Sequence, residues 1–250
     1  MADEHQLSVL GARRIAIGTD PDELVLPEES GKRLGWIANW LAQPPYIFRE
    51  WGLSRYVDGG LRALFRGSPG TGKTMAAVAL GKSTERSLFH VDLGAVGEAD
   101  LGRLFKMADD AGAILLFDAA DYDDFEMGVL LRRIEPFEGL AIVTTDAAAE
   151  IEADALSRID VLVEFPVPDE AAREALWGKL LAAVKLPQGD GVDVRALARH
   201  ELSGAEILRC VRVASLLAAI DEKRLDMELL QAAAKERLAM RDAAKAGGAD

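Results

Sequence analysis

The chain has 250 residues, 50% hydrophobic and 28% charged, with 42 acidic against 29 basic side chains and a formal charge of −13. That length and apolar content support one full α/β core plus a smaller satellite domain without staples, and a single cysteine, Cys210, excludes an internal disulfide framework. The negative balance opposes binding to nucleic acid or anionic membrane and makes proteins the expected partners, while the isolated His5, His90 and His200 offer no transition-metal spacing. No early apolar run reaches spanning length and no basic start precedes one, which implies no membrane segment and a cytoplasmic location.

Residues 1 to about 28 are polar, carry Pro21 and Pro27, and read as an irregular arm. From 29 to 41, Leu34, Ile37 and Leu41 recur at helical spacing with Trp36 and Trp40 alongside, before Pro44-Pro45 stops the run. Packing on the core is the expected use of both tryptophans. Arm and helix make a first segment over 1–45. Residues 46–168 then alternate, with strands predicted near 61–66, 87–92, 113–117, 140–144 and 161–164 and helices near 72–82, 99–109, 124–134 and 151–157. Such alternation predicts an α/β fold, a parallel sheet with helices on both faces.

After the first of these strands comes Gly67-Ser68-Pro69-Gly70-Thr71-Gly72-Lys73-Thr74, which fills every fixed position of the phosphate-binding pattern G-x-x-x-x-G-K-[ST]. In a strand–loop–helix context the loop's N–H groups and those of the helix start, through Met75, converge on phosphates. Lys73 would reach the β- and γ-phosphates and the Thr74 hydroxyl a Mg²⁺. Residues 113–117 are continuously apolar, as a central strand should be, so Asp118 at their carboxyl end would face the loop. Beyond Pro166-Val167-Pro168 the pattern is helical throughout, near 169–185, 193–200, 203–219 and 226–243, which predicts a small helical lid over 169–250 with a frayed tail. Cys210, flanked by Leu208, Val211 and Val213, reads as a buried apolar residue.

Phosphoryl hydrolysis needs, besides the cradle, a carboxylate for Mg²⁺, a group that orients the attacking water and a cation for the developing charge. Asp118 suits the first role. Together with the phosphate loop, Leu115-Leu116-Phe117-Asp118-Ala119-Ala120-Asp121, Ala141-Ile142-Val143-Thr144-Thr145-Asp146 and Phe165-Pro166-Val167-Pro168-Asp169 resemble an AAA+ ATPase, a P-loop NTPase, over roughly residues 24 to 240. Trp51-Gly52-Leu53, Ala63-Leu64-Phe65, Thr74-Met75-Ala76-Ala77 and Phe137-Glu138-Gly139-Leu140-Ala141-Ile142 further resemble the AAA+ proteins of contractile injection systems. The resemblance implies ATP and Mg²⁺ as cofactors, a small all-α AAA+ lid after the sheet, and a ring formed with itself or with an active AAA+ paralogue that acts on a protein substrate.

Carried over position by position, the resemblance also implies losses. Ala119 stands where the family has the water-orienting Glu, and a methyl group cannot accept a proton unless Asp121 or another carboxylate substitutes. Asp146 stands at the usual Asn sensor, with neutral Thr145 as a partial replacement. Arg158 alone matches the arginines that complete a neighbour's site, a trans finger or a solvated helix-end residue. Ser203-Gly204-Ala205-Glu206 resembles the start of the second-sensor helix, which puts Gly204 and Ala205 beside the nucleotide; Leu208 sits where Arg is common, and Arg209 is a shifted candidate. The aromatic pore loop of threading relatives is absent from 91–98, and the segment after Asp121 is short. Losses confined to chemistry favour an ATP-binding structural or regulatory subunit with weak or absent hydrolysis. The alternative is an active ATPase with substitute catalytic residues.

Overall fold

Short apolar runs set the strands from Leu61 onward, and the glycine- and charge-rich stretches between them set the turns. The computed structural model describes residues 7, 10–18, 20–43, 50–52, 60–92, 96–119, 124–147, 151–189 and 191–247. By contact the chain divides into two units, Met1–Ser68 with Lys73–Pro166, and Pro69–Gly72 with Val167–Asp250.

In the first unit the strands are β1 (Ala12–Ile15), β2 (Leu61–Arg66), β3 (Leu88–Val91), β4 (Ile114–Asp118), β5 (Leu140–Thr145) and β6 (Val161–Glu164). Among the described residues they form one sheet in the order β1-β3-β4-β5-β2-β6. Every neighbouring pair is parallel except β1 with β3. The helices are α1 (Glu28–Leu41), α2 (Lys73–Ser83), α3 (Glu98–Asp110), α4 (Asp124–Ile134) and the one-turn α5 (Ala153–Leu156). Side chains alternate across β4 and β5, so Leu115, Phe117 and Val143 pack with Leu104 and Phe105 of α3 and Leu130 and Ile134 of α4. Ile114, Leu116 and Ile142 pack on the other face with Ala76, Ala77 and Leu80 of α2 and Leu34, Ile37 and Leu41 of α1.

The two sheet edges differ, β6 being covered by a helix and β1 being the strand at the other edge. On one side Ser30 and Arg33 of α1 donate to the carbonyls of Glu164 (2.7 Å) and Leu162 (2.6 Å), satisfying acceptors that β6 would otherwise present to water or to another chain. On the other side β1 pairs with β3, and this departs from the expected irregular arm. Ala12-Arg13-Arg14-Ile15 has no apolar alternation, and its strand conformation comes from the hydrogen bonds that β3 offers. The tryptophan expectation is corrected for Trp36, whereas Trp40 packs against the core as expected. The buried stripe of α1 runs through Ser30, Leu34, Ile37 and Leu41, so Trp36 points outward at 59% exposure and Trp40 is half-buried.

The second unit contains α6 (Glu170–Ala183), α7 (Val194–Ala198), α8 (Gly204–Ile220) and α9 (Met227–Gly247). Asp169, Asp193 and Ser203 cap α6, α7 and α8 by accepting first-turn N–H groups. Trp177, Leu197, Ile207, Val211 and Leu230 form its core. Cys210 is buried there, and burial pushes its thiol up to about 11, so it packs as an apolar residue. Among the described residues no helix is long and apolar enough to cross a membrane.

Asp109 is half-buried near the end of α3, where it accepts from the Glu138 N–H at 3.4 Å. Burial, aided by the Glu138 and Asp110 charges, pushes its carboxyl up to about 6. A raised carboxylate pKa favours the folded state when protonated. The contribution is therefore complete below about 3.8 and is lost as pH rises through about 6. Asp109→Asn is expected to raise stability at pH 8 by on the order of 1 kcal/mol, allowing for solvent screening, and to change little at pH 4. Urea unfolding at the two pH values measures this, and an equal gain at both would contradict it.

Candidate nucleotide-binding site

The phosphate loop leaves β2 at Arg66, the sheet position hydrogen-bonded between β5 and β6. Gly67 donates its N–H to the Thr145 carbonyl at 3.3 Å, and a Cβ on Gly67 would overlap the Phe165 carbonyl oxygen. Gly70 and Gly72 have φ of +78° and +109°, values that L side chains rarely adopt. A Cβ at Gly72 would meet nothing within 4 Å, so its requirement is conformational. In the lid unit, the Gly70 carbonyl accepts the Ala205 N–H at 3.0 Å, and a Cβ on Gly70 would lie 2.9 Å from both the Ala205 Cβ and the Ser203 Oγ.

Helix α2 begins at Lys73, so the N–H groups of Lys73, Thr74 and Met75 lie in its first turn and have no intrahelical acceptor. Thr74 is exposed, while Ser68, Thr71 and Met75 are half-buried and Pro69 is exposed. The Lys73 ammonium folds back to donate to the carbonyls of Gly67 and of Ser68, the latter at 3.2 Å. Burial lowers its pKa, and the charges of Asp146 and then Asp118 pull it back up. Both carboxylates therefore lie within electrostatic reach of the lysine.

Asp118 and Asp146 stand at the carboxyl ends of adjacent parallel strands. Thr144, paired with Asp118 in register, donates its hydroxyl to Asp118 Oδ1 at 2.9 Å, which orients that carboxylate. Ala119 continues the ladder through its N–H to the Thr144 carbonyl at 2.9 Å. Its methyl is fully buried in the cluster of Phe117 and Val143. Thr145 is equally buried, and its hydroxyl has no hydrogen-bond partner among the described residues. An orphaned hydroxyl next to the loop's anchoring carbonyl, a loop with two left-handed glycines and a lysine within electrostatic reach of two carboxylates fit a Mg²⁺-bound polyphosphate.

Arg158, half-buried after α5, pairs in its own chain with Glu135 and, at 3.6 Å, with Asp154. Gly204 and Ala205 open α8, whereas Leu208 and Arg209 are exposed on its outer face. Residues 120–123, including Asp121, and 93–95 of the pore-loop segment lie outside the described residues. Neither the Thr144 bond to Asp118 nor the Glu135 pair with Arg158 is legible in the sequence, and both emerge from the strand register and the chain's path after α4.

Residues 63–167 match the family described as ATPase family associated with various cellular activities (AAA). A 26S proteasome regulatory subunit 4 homolog B of Arabidopsis thaliana is 27% identical over 203 residues, 68% of this chain and 46% of the relative. A proteasome-activating nucleotidase of Saccharolobus islandicus is 26% identical over 217 residues, covering 75% and 54%. The chain thus spans about half the length of these relatives. A chain from a structural study of katanin self-assembly superposes with a TM-score of 0.65 at 19% identity, over 94% of this chain and 90% of that one, which shows a shared fold. The α/β sheet followed by a helical lid is therefore the fold of that chain, and residues 63–167 match the AAA ATPase family.

Proposed function

We propose that this protein binds ATP with Mg²⁺, hydrolyses it weakly or not at all, and serves as a nucleotide-dependent structural or regulatory subunit in remodelling a protein assembly. One observation supports the reading: Lys73 folds onto the loop carbonyls and Thr144 orients Asp118, while a buried methyl, Ala119, stands where the resemblance would put a water-orienting carboxylate. The loop N–H groups and Lys73 would bind the phosphates, Thr74 and Asp118 would hold the metal, and Gly204 and Ala205 would flank the nucleotide. Mg²⁺ when bound neutralises charge on the phosphate oxygens. Asp146 near Lys73, with the orphaned Thr145 hydroxyl, supports a second reading in which these residues align water and the protein is an active ATPase. The Trp51-Gly52-Leu53 and Phe137-Glu138-Gly139-Leu140 phrases support a contractile injection system as the setting.

ATP titration with and without Mg²⁺, beside steady-state phosphate release, tests the proposal. Mg²⁺-dependent binding with negligible release supports it. No binding at millimolar ATP would sink both readings, and brisk release would favour the second.

Assembly with a second copy of this chain is supported by the outer face of α8. Leu208, Val213, Leu216, Leu217 and Ile220 are 42–67% exposed there, with Arg209 and Arg212 beside them, and the helix's one acid, Glu206, is buried. A basic, apolar face complements the acidic surface of a chain whose net charge is −13. In trans, Arg158 would have to leave Glu135 to reach a neighbour's phosphate. Leu216→Asp with Ile220→Asp is expected to shift ATP-loaded protein to monomer in sedimentation. A single monomeric species for the unmodified chain, or an unchanged oligomer in the variant, would refute that surface.

A further inference from the structure

Glu206 is an acid at 8% exposure in the first turn of α8. Its carboxylate accepts the Ser203 N–H at 2.8 Å, and its own N–H donates to Ser203 Oγ at 3.4 Å, a reciprocal cap. A glutamine would make the same cap without a buried charge. The charge has a different counterpart, because α9 brings Arg237 and Arg241, one turn apart, to 3.6 Å from its two oxygens. Arg241 also donates to the Glu201 carbonyl at 2.6 Å, tying α9 to the segment that leads into the cap. The residue before Glu206 is Ala205, whose N–H holds the Gly70 carbonyl at the phosphate-loop tip. The contact is close enough that Gly70 admits no side chain.

We infer that Arg237 and Arg241 are positioning residues for the phosphate loop: they grip the Glu206 carboxylate and so hold the first turn of α8 where Ala205 secures Gly70. Helix α9 supplies no residue assigned to the nucleotide, yet its two arginines set the loop's geometry through one buried charge. The inference rests on the ATP-binding reading for its consequence, but not for its first readout.

The experiment measures amide exchange at Ala205 by NMR without nucleotide, then ATP affinity, in Arg237→Ala/Arg241→Ala, in Glu206→Gln and in Arg237→Lys/Arg241→Lys. Ala205 exchange is expected to quicken on the order of tenfold in the first two, with ATP binding weakened by a similar factor, while Ala214 amide protection stays native. The lysine pair, which keeps both charges, is expected to restore most of the difference. A native Ala205 rate in Glu206→Gln would overturn the inference, and so would equal acceleration at Ala205 and Ala214, the mark of a merely structural role. Should the double alanine chain fail to fold, Glu206→Gln, nearly isosteric and still able to cap, decides the matter. If the unmodified protein binds no ATP the functional reading fails, while the exchange comparison still stands or falls separately.

Discussion

Replacing Ala119 by Glu is expected to raise steady-state phosphate release on the order of 10²-fold or more, the range that a positioned general base contributes. Asp118 and Ala119 point to opposite sides of the strand end. Asp118 is oriented by Thr144, and Ala119 is buried with Phe117 and Val143. One position beyond the paired Asp118 and Thr144 stand Ala119 and Thr145, so the new carboxylate would find the unpartnered Thr145 hydroxyl as a donor. That hydrogen bond offsets part of the cost of burying an acid, and a stability loss of about 1–3 kcal/mol is still expected. ATP affinity should remain within about threefold, because the cradle is unchanged. A folded variant that binds ATP and still releases no phosphate would show that more than one group is missing. An unmodified chain as fast as the variant would assign the water to Asp146 or another carboxylate.

Gly67→Ala is expected to cost about 3 kcal/mol of stability, roughly 6–12 °C in melting temperature for a chain of this size, and to abolish nucleotide binding at micromolar ATP. The added methyl would overlap the Phe165 carbonyl oxygen and lie 2.7 Å from the Phe165 Cβ. Phe165 cannot step aside cheaply, because its N–H is bonded to the Arg66 carbonyl at 2.7 Å, while Gly67 itself is held by Thr145. Relief therefore requires moving the loop away from the end of β6, which disturbs the Gly67 bond to Thr145 at the end of β5. Gly102→Ala is the matched control. It lies inside α3, meets nothing within 4 Å, and should gain roughly 0.5–1 kcal/mol. Native melting and binding by Gly67→Ala would remove the close packing of Gly67 as a feature of the site.

The strands carrying the site were legible because local composition and topology agree there. Residues 61–66, 114–118 and 140–145 are apolar runs between turn signals, and each ends with the residue that faces the loop. The arm was not legible, since Arg13-Arg14 gives β1 no alternating pattern. Trp36 was misread because aromatic residues at helical spacing do not state which face of the helix meets the core.

The phosphate-loop pattern, the order of strands and helices, and the Ala119 that follows Asp118 are all written in contiguous residues, since each depends on spacing along a few turns of chain. The antiparallel pairing of β1, the Thr144 bond to Asp118, the capture of Arg158 by Glu135 and the grip of Arg237 and Arg241 on Glu206 are not. Their partners lie 23 to 79 residues apart, and long-range packing and strand register bring them together. Local pattern thus names the ligand class, and the fold decides which charges surround it and which element steadies the loop.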